Sequence, residues 1–293
     1  MIVLDGGIGR HLEKMGAPFG QPEWSALSLI QEPDFVLRAH KDFIDSGADV
    51  ITTNSYAIVP FHIGKDRFEK EGKDLLIRSG NIAKEAVKLY KKKIKIAASI
   101  PPVLGSYKPD VFNSEKAIPI LEIFKNNLIQ HCDLILAETL SSIDEIKTIQ
   151  RVFGDCKIPF WISLTIEDEY YNIPKLRSGE EIVTALRKID FNKISSVLFN
   201  CSQPEVMAKA IKVAKNLVPE NTSLGVYANA FQPIKIGQRD ANSQIRNIRQ
   251  ELTPEKYFDF VKEWNELEVD IIGGCCGIGP EHIKKICELK KNR

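Results

Sequence analysis

Short apolar runs alternate with amphipathic stretches along the whole chain, and this alternation restricts the fold more than any other feature of the sequence. Runs at 2–6, 50–56, 95–100, 134–140, 160–166, 195–200, 223–230 and 269–272 read as strands. Helical segments follow at 10–15 and 33–46, 67–92, 115–131, 144–153, 180–189, 204–217 and 254–268, with a last one opened by Pro280. Pro33 opens a helix that Gly47 closes, Pro101-Pro102 stop the third strand, and Ser114 is expected to cap the helix after it. The strand runs are apolar throughout, as in strands covered on both faces, and such strands build parallel sheets. Eight strand-helix units predict an α/β fold in the form of a closed (β/α)8 barrel, with residues 1–293 as one domain. A doubly wound open sheet is the rival architecture. The polar stretch 232–251 is read as the longest of three irregular loops, with 58–66 and 101–113.

Forty basic residues oppose 39 acidic ones, a net charge of +1, which supplies no electrostatic reason to expect nucleic acid or an anionic membrane as partner. No segment reaches the roughly 20 apolar residues of a membrane span. The N-terminus lacks the pattern of a secretory signal, so six cysteines in 293 residues point to a reducing, cytoplasmic setting in which thiols stay free or bind metal. A homo-oligomer is compatible with the sequence, which does not decide the point.

In a barrel of this kind the reactive groups sit at the C-terminal ends of the strands. Here those ends read Asp5-Gly6-Gly7, Asn54-Ser55-Tyr56, Glu138-Thr139, Asn200-Cys201, Tyr227-Ala228-Asn229 and Cys275-Cys276. Neighbouring thiols point to one place only if the backbone turns around them, and Gly273, Gly274 and Gly277 permit that turn. Cys275 and Cys276 are therefore expected to hold one soft metal ion with Cys201 as third ligand; a disulfide among the three is the competing use. Cys132, Cys156 and Cys287 read as small buried hydrophobes. Three thiolates on Zn²⁺ leave a fourth position open, as catalytic sites do. Such an electron-rich ion activates water poorly but keeps a substrate thiol ionised, which predicts attack of a zinc-bound thiolate on an activated methyl group. His11, His40, His62, His131 and His282 are scattered and read as structural or exposed, so hydrolysis through a zinc-bound water is disfavoured.

These residues resemble the zinc-dependent homocysteine S-methyltransferases. The likeness runs from Leu4-Asp5-Gly6-Gly7 through Glu23-Trp24-Ser25, His40, Thr53-Asn54-Ser55-Tyr56, Glu138-Thr139-Leu140 and Asn200-Cys201 to Gly273-Gly274-Cys275-Cys276-Gly277. It implies a (β/α)8 barrel, zinc on Cys201, Cys275 and Cys276, and homocysteine plus a methyl donor as small-molecule substrates. It further implies that Tyr56 can occupy the fourth zinc position, and that Glu138 receives the substrate ammonium. Asp5 with Gly6 and Gly7 would hold the substrate's amino-acid end, and Thr139 and Asn200 would complete the binding set. Two departures bear on the donor. Ser99-Ile100-Pro101-Pro102-Val103 replaces a Gly-Pro-Tyr-like sequence, leaving contacts from that loop unassigned. Residue 277 is Gly, as in betaine-using and folate-linked members, where sulfonium-using members often carry Arg. A small onium donor is expected, S-methylmethionine or a related sulfonium first and betaine second, with Trp24, Tyr56 and Tyr227 as aromatic candidates to hold it. A non-catalytic zinc or thiol-binding barrel, another thiol or selenol acceptor, and a separate corrinoid-protein donor are the alternatives.

Overall fold

The computed structural model describes residues 1–169, 171–234 and 245–291. Positions 235–244 of the loop expected over 232–251 lie outside the described residues. Eight strands form where the apolar runs predict them: β1 (Ile2–Val3), β2 (Val50–Thr52), β3 (Lys95–Ile100), β4 (Leu134–Leu140), β5 (Phe160–Leu164), β6 (Ser196–Asn200), β7 (Ser223–Tyr227) and β8 (Ile271–Ile272). Each pairs in parallel with its neighbour in the order β1-β8-β7-β6-β5-β4-β3-β2. The remaining seam is shut by a parallel bridge between Leu4 and Val50. There Asp5 N donates to Val50 O at 3.0 Å and Asp49 N to Val3 O at 2.7 Å. The sheet is a barrel, and the open doubly wound arrangement is excluded.

Helices between successive strands cover the outside, the longest being Lys65–Lys88, Ser114–Asn127, Pro33–Asp45 and Pro254–Glu266. Several boundaries differ from expectation for local reasons. Residues 53–56 leave the second strand because Ser55 N donates back to Thr53 O at 2.8 Å and Ile58 N to Ser55 O at 3.0 Å, a turn in place of a ladder. The helix expected over 115–131 ends at Asn127 and resumes as a single 3-10 turn, Ile129–His131. Its cap is Asn113, whose side chain accepts from Lys116 N at 3.0 Å; Ser114 occupies the first helical position. Two short helices, Ala26–Gln31 and Pro60–Ile63, fall where no period could register.

Side chains on a strand alternate between faces, so each strand sends every second residue into the barrel. Leu134 and Leu136 of β4, Trp161 of β5, Leu198 of β6 and Ala97 of β3 fill the interior, in a cluster separate from the larger core between sheet and helices. The next inward positions toward the C-terminal mouth are polar: Ser99, Glu138, Ser163, Asn200 and Tyr227. Register alone thus stacks a polar layer on an apolar one.

At the opposite end, Asp49, Asp133 and Asp270 each precede a strand and accept the backbone N–H of an adjoining strand: Val3 at 2.8 Å, Ile96 at 2.8 Å and Leu224 at 3.0 Å. Carboxylates that satisfy these otherwise open donors fasten the barrel base, each contributing about 1–3 kcal/mol. No helix among the described residues is long and apolar enough to cross a membrane.

Candidate metal centre

Cys201 begins the loop after β6 with φ +50, so the chain turns sharply as it leaves the sheet. The loop after β8 makes a tight turn in which Ile278 N donates to Cys275 O at 3.0 Å, with Gly277 at φ +85 in its third position. That angle favours glycine, and a Cβ at 277 would meet Ile248 Cδ1 at 2.7 Å and Ala230 Cβ at 2.9 Å. In this chain the turn's backbone angle and its two close neighbours therefore favour glycine at 277. The turn brings the Sγ atoms of Cys201, Cys275 and Cys276 within 4.8 Å of one another.

In this structure Cys201 and Cys275 form a disulfide with Cα atoms 5.7 Å apart, and Cys276 is a free thiol beside them. The two uses set against each other by the sequence therefore share one convergence. Reduction of the bridge by a thiol returns both sulfurs as ligands. Sulfurs around one Zn²⁺-sized ion lie about 3.8 Å apart at a metal-sulfur distance of about 2.3 Å, so the reduced triad fits a single ion with little movement. Burial pushes the Cys276 thiol up to about 12, and the nearby Glu138 charge adds to this. A metal must displace that proton to bind.

A cleft of about 120 Å³ opens at the sulfurs, small-molecule in scale. Asp5, Gly6, Gly7, Tyr56 and Glu138, all expected at the site, line it, as do Trp24 and Tyr227. Glu138 is fixed from two sides: Ser99 Oγ donates to Oε1 at 2.5 Å and Tyr227 Oη to Oε2 at 3.3 Å. Burial raises its carboxyl to about 7, against the pull of those two hydrogen bonds. The Tyr56 hydroxyl pairs with Ser106 Oγ at 2.7 Å, and burial keeps the phenol protonated well above its usual range. Asp5 turns to the barrel seam, accepting from Thr52 N at 2.7 Å and Thr52 Oγ1 at 3.1 Å; burial raises its carboxyl too. The Gly7 N–H donates to Ile278 O at 2.9 Å, and a Cβ there would meet Cys275 O at 2.6 Å. The first-strand glycines are thus what lets this loop pass the sulfur-bearing turn.

Thr139 and Asn200 face each other and do not line the cleft. Asn200 Oδ1 accepts from Thr139 N at 3.0 Å and Ser163 Oγ at 2.8 Å, while Asn200 Nδ2 donates to Thr139 Oγ1 at 2.9 Å. This pair joins the end of β4, next to Glu138, to the end of β6, next to Cys201.

Other residues at the site had no sequence signal as clear. Ser106 and Tyr107, from the loop after Pro101-Pro102, line the cleft, as does His62, read from sequence as one of several scattered histidines. His62 Nδ1 is 2.7 Å from Pro22 O, and burial lowers the ring to about 4, so it stays neutral. Arg177 is fully buried, paired in a bidentate manner with Asp168 at 2.9 and 3.1 Å, and reaches Cys201 O at 3.4 Å. Asp168 also accepts from Gln203 N at 2.9 Å and Ile234 N at 2.8 Å, tying together the loops after β5, β6 and β7. An isolated Arg and Asp in loops, nine residues apart, carry no periodicity that announces this pair.

A homocysteine S-methyltransferase family model matches residues 2–289. Homocysteine S-methyltransferase 1 of Brassica oleracea var. italica is 29% identical, the alignment covering 99% of this chain and 94% of that protein. Selenocysteine methyltransferase of Astragalus bisulcatus is 26% identical over 98% of this chain and 91% of that protein. Among solved structures, the metallated form of the homocysteine methyltransferase MmuM from Escherichia coli superposes with a TM-score of 0.80 at 21% identity, covering 99% of this chain and 96% of that one.

Proposed function

This chain belongs to the homocysteine S-methyltransferase family, and from that premise we propose that Cys201, Cys275 and Cys276 hold one Zn²⁺ and that the adjoining cleft takes homocysteine and a small onium methyl donor. It is a methyltransferase that moves a methyl group to the sulfur of homocysteine, giving methionine. The observation that carries the metal reading is the meeting of three sulfurs, from two loops far apart in sequence, on the wall of a cleft that also holds Glu138. When bound, the metal supplies a positive charge that lowers the pKa of a substrate thiol sharing it.

The chain's own residues do the rest. Glu138, aimed by Ser99 and Tyr227, receives the homocysteine ammonium, whose charge draws the buried carboxyl back to its ionised form. Thr139 and Asn200, which the sequence resemblance implies as substrate contacts, act as positioning residues that hold Glu138 and Cys201 in register. Asp5, Gly6 and Gly7 wall the amino-acid end, and Tyr56 flanks the position left open beside the sulfurs, its phenol neutral. Trp24, Tyr56, Tyr107, Tyr227 and Phe231 give the cleft an aromatic wall suited to a cation. In the transfer, the substrate thiolate forms a bond to the methyl carbon as the carbon–sulfonium bond breaks. The electron pair stays with the departing sulfur, which leaves as a neutral thioether. A sulfonium such as S-methylmethionine is the preferred donor and betaine the second.

The test is to supply reduced, zinc-loaded protein with homocysteine and S-methylmethionine, betaine or no donor, and to measure methionine. Methionine is expected with the sulfonium and one zinc per chain, and Cys276→Ala should lose both while keeping its circular dichroism. A parent protein that binds zinc yet forms no methionine with either donor would sink the reading.

A further inference from the structure

We infer that Nε2 of His62 accepts a hydrogen bond from the α-ammonium of the methyl donor, so that the cleft selects amino-acid oniums over fully alkylated amines. The inference rests on the methyl-transfer reading above and deepens it by naming the class of donor. His62 belongs to the short helix Pro60–Ile63, is 4% exposed and lines the cleft. Its ring centre lies 4.3 Å from that of Phe61, and its Nδ1 lies 2.7 Å from Pro22 O. Burial keeps the ring neutral at physiological pH. A carbonyl oxygen only accepts, so Nδ1 carries the one ring proton and Nε2 keeps a bare lone pair. Nε2 has no hydrogen-bond partner among the described residues, yet it is not sealed off, as both ring nitrogens of the fully buried His40 are. What stays open on His62 is therefore an acceptor in the cleft wall.

Pro22, which orients the ring, lies in a turn closed by Trp24 N donating to Gly20 O at 2.6 Å, and that turn carries Trp24 to the cleft wall. The carbonyl that fixes His62 is thus two residues from an aromatic side chain suited to an onium. The carboxylates are committed elsewhere. Among the described residues that line the cleft these are Asp5 and Glu138; Asp5 is turned to the seam by Thr52, and Glu138 takes the homocysteine ammonium. The Glu138 charge acts on Asp5, Tyr56, Tyr227 and Cys276, whereas His62 responds only to burial and to Pro22. His62 therefore stands apart from the homocysteine ammonium and faces the second substrate. S-methylmethionine brings an ammonium of its own, whose N–H groups match a bare imidazole nitrogen. The nitrogen of betaine carries no N–H and cannot use it.

His62→Phe, which keeps a ring and removes the acceptor, and His62→Gln, which restores an acceptor oxygen, are compared with the parent, zinc content and circular dichroism being measured for each. Donor kinetics use S-methylmethionine against 4-(dimethylsulfonio)butanoate, the same sulfonium without its amino group. Acceptor kinetics use homocysteine against 4-mercaptobutanoate, which lacks the amino group in the same way. The parent should prefer S-methylmethionine about tenfold or more, the difference lying in KM and not in kcat. His62→Phe should lose that preference and His62→Gln should recover part of it, while the preference for homocysteine stays as in the parent. The inference is overturned by a parent with no donor preference, by a preference that survives in His62→Phe, or by a loss that falls on the homocysteine pair instead. If the parent makes no methionine with any donor, the methyl-transfer reading fails separately. Calorimetric binding of the two sulfoniums then decides about His62: a preference for S-methylmethionine in the parent that disappears in His62→Phe supports it, and the same ratio in both proteins ends it.

Discussion

Thr139 places a β-branched side chain at φ +62, a conformation that costs on the order of 1–3 kcal/mol and persists only where surroundings enforce it. Trp24 (φ +54), Tyr107 (φ +62) and Cys201 (φ +50) share the left-handed region, and all of them line the cleft. Glu268 (φ +57), after the helix Pro254–Glu266, has the same backbone away from the cleft, so of the five such residues among those described, four lie in the cleft wall or beside Glu138. At Asp168, one carboxylate serves a buried guanidinium and two backbone amides. Asp168→Ala is expected to lower stability by about 3 kcal/mol or more in urea unfolding, because it strips the bidentate acceptor from a buried charge. Asp168→Asn should lose less, its amide oxygen still accepting from the backbone. A loss in Asp168→Ala of under about 1 kcal/mol, the range of exposed pairs, would show the junction to be solvated.

At the scale of elements, the helix Ile143–Phe153, expected over 144–153, starts on a Ser142-x-x-Glu145 cap. Ser142 Oγ accepts from Glu145 N at 3.2 Å, and the Glu145 carboxyl reaches back to Ser141 N. The cost of this box is burial of an acid, which raises the Glu145 carboxyl from 4.5 to about 8. The unfolded chain releases this proton near pH 4.5 while the folded chain keeps it to about pH 8. The stability Glu145 contributes is therefore full below that window and lost as pH rises through it. Glu145→Gln should remove this part of the slope, so its stability relative to the parent should climb across the window by up to roughly 5 kcal/mol. A difference that stays flat with pH would mean the carboxyl titrates normally. The strand-leading Asp49, Asp133 and Asp270 belong to the same scale. Each is visible beside an apolar run, but the partner N–H that gives it meaning lies on another strand.

For the molecule as a whole, the sulfurs that converge at the mouth can be a disulfide or a ligand set, and only the reduced chain should be stabilised by metal. With reductant present, Zn²⁺ is expected to raise Tm in a concentration-dependent way, by an amount equivalent to about 2.7 kcal/mol at a hundredfold excess over Kd. Without reductant the shift should vanish, whereas an equal shift in the oxidised protein would place the ion elsewhere. The (β/α)8 architecture, the parallel strand order and the polar mouth were determined by the sequence alone, because strand and helix periods are local and burial on both faces leaves apolar runs anyone can count. Residues 53–56 and the Asn113 cap escaped that reading because hydrogen bonds within single turns set them. Only the tertiary structure decided that Tyr227 meets Glu138, that Asp168 gathers three loops around Arg177, and that Arg246 lines the cleft. Those meetings depend on register around a closed barrel, a long-range condition that leaves no period in the chain.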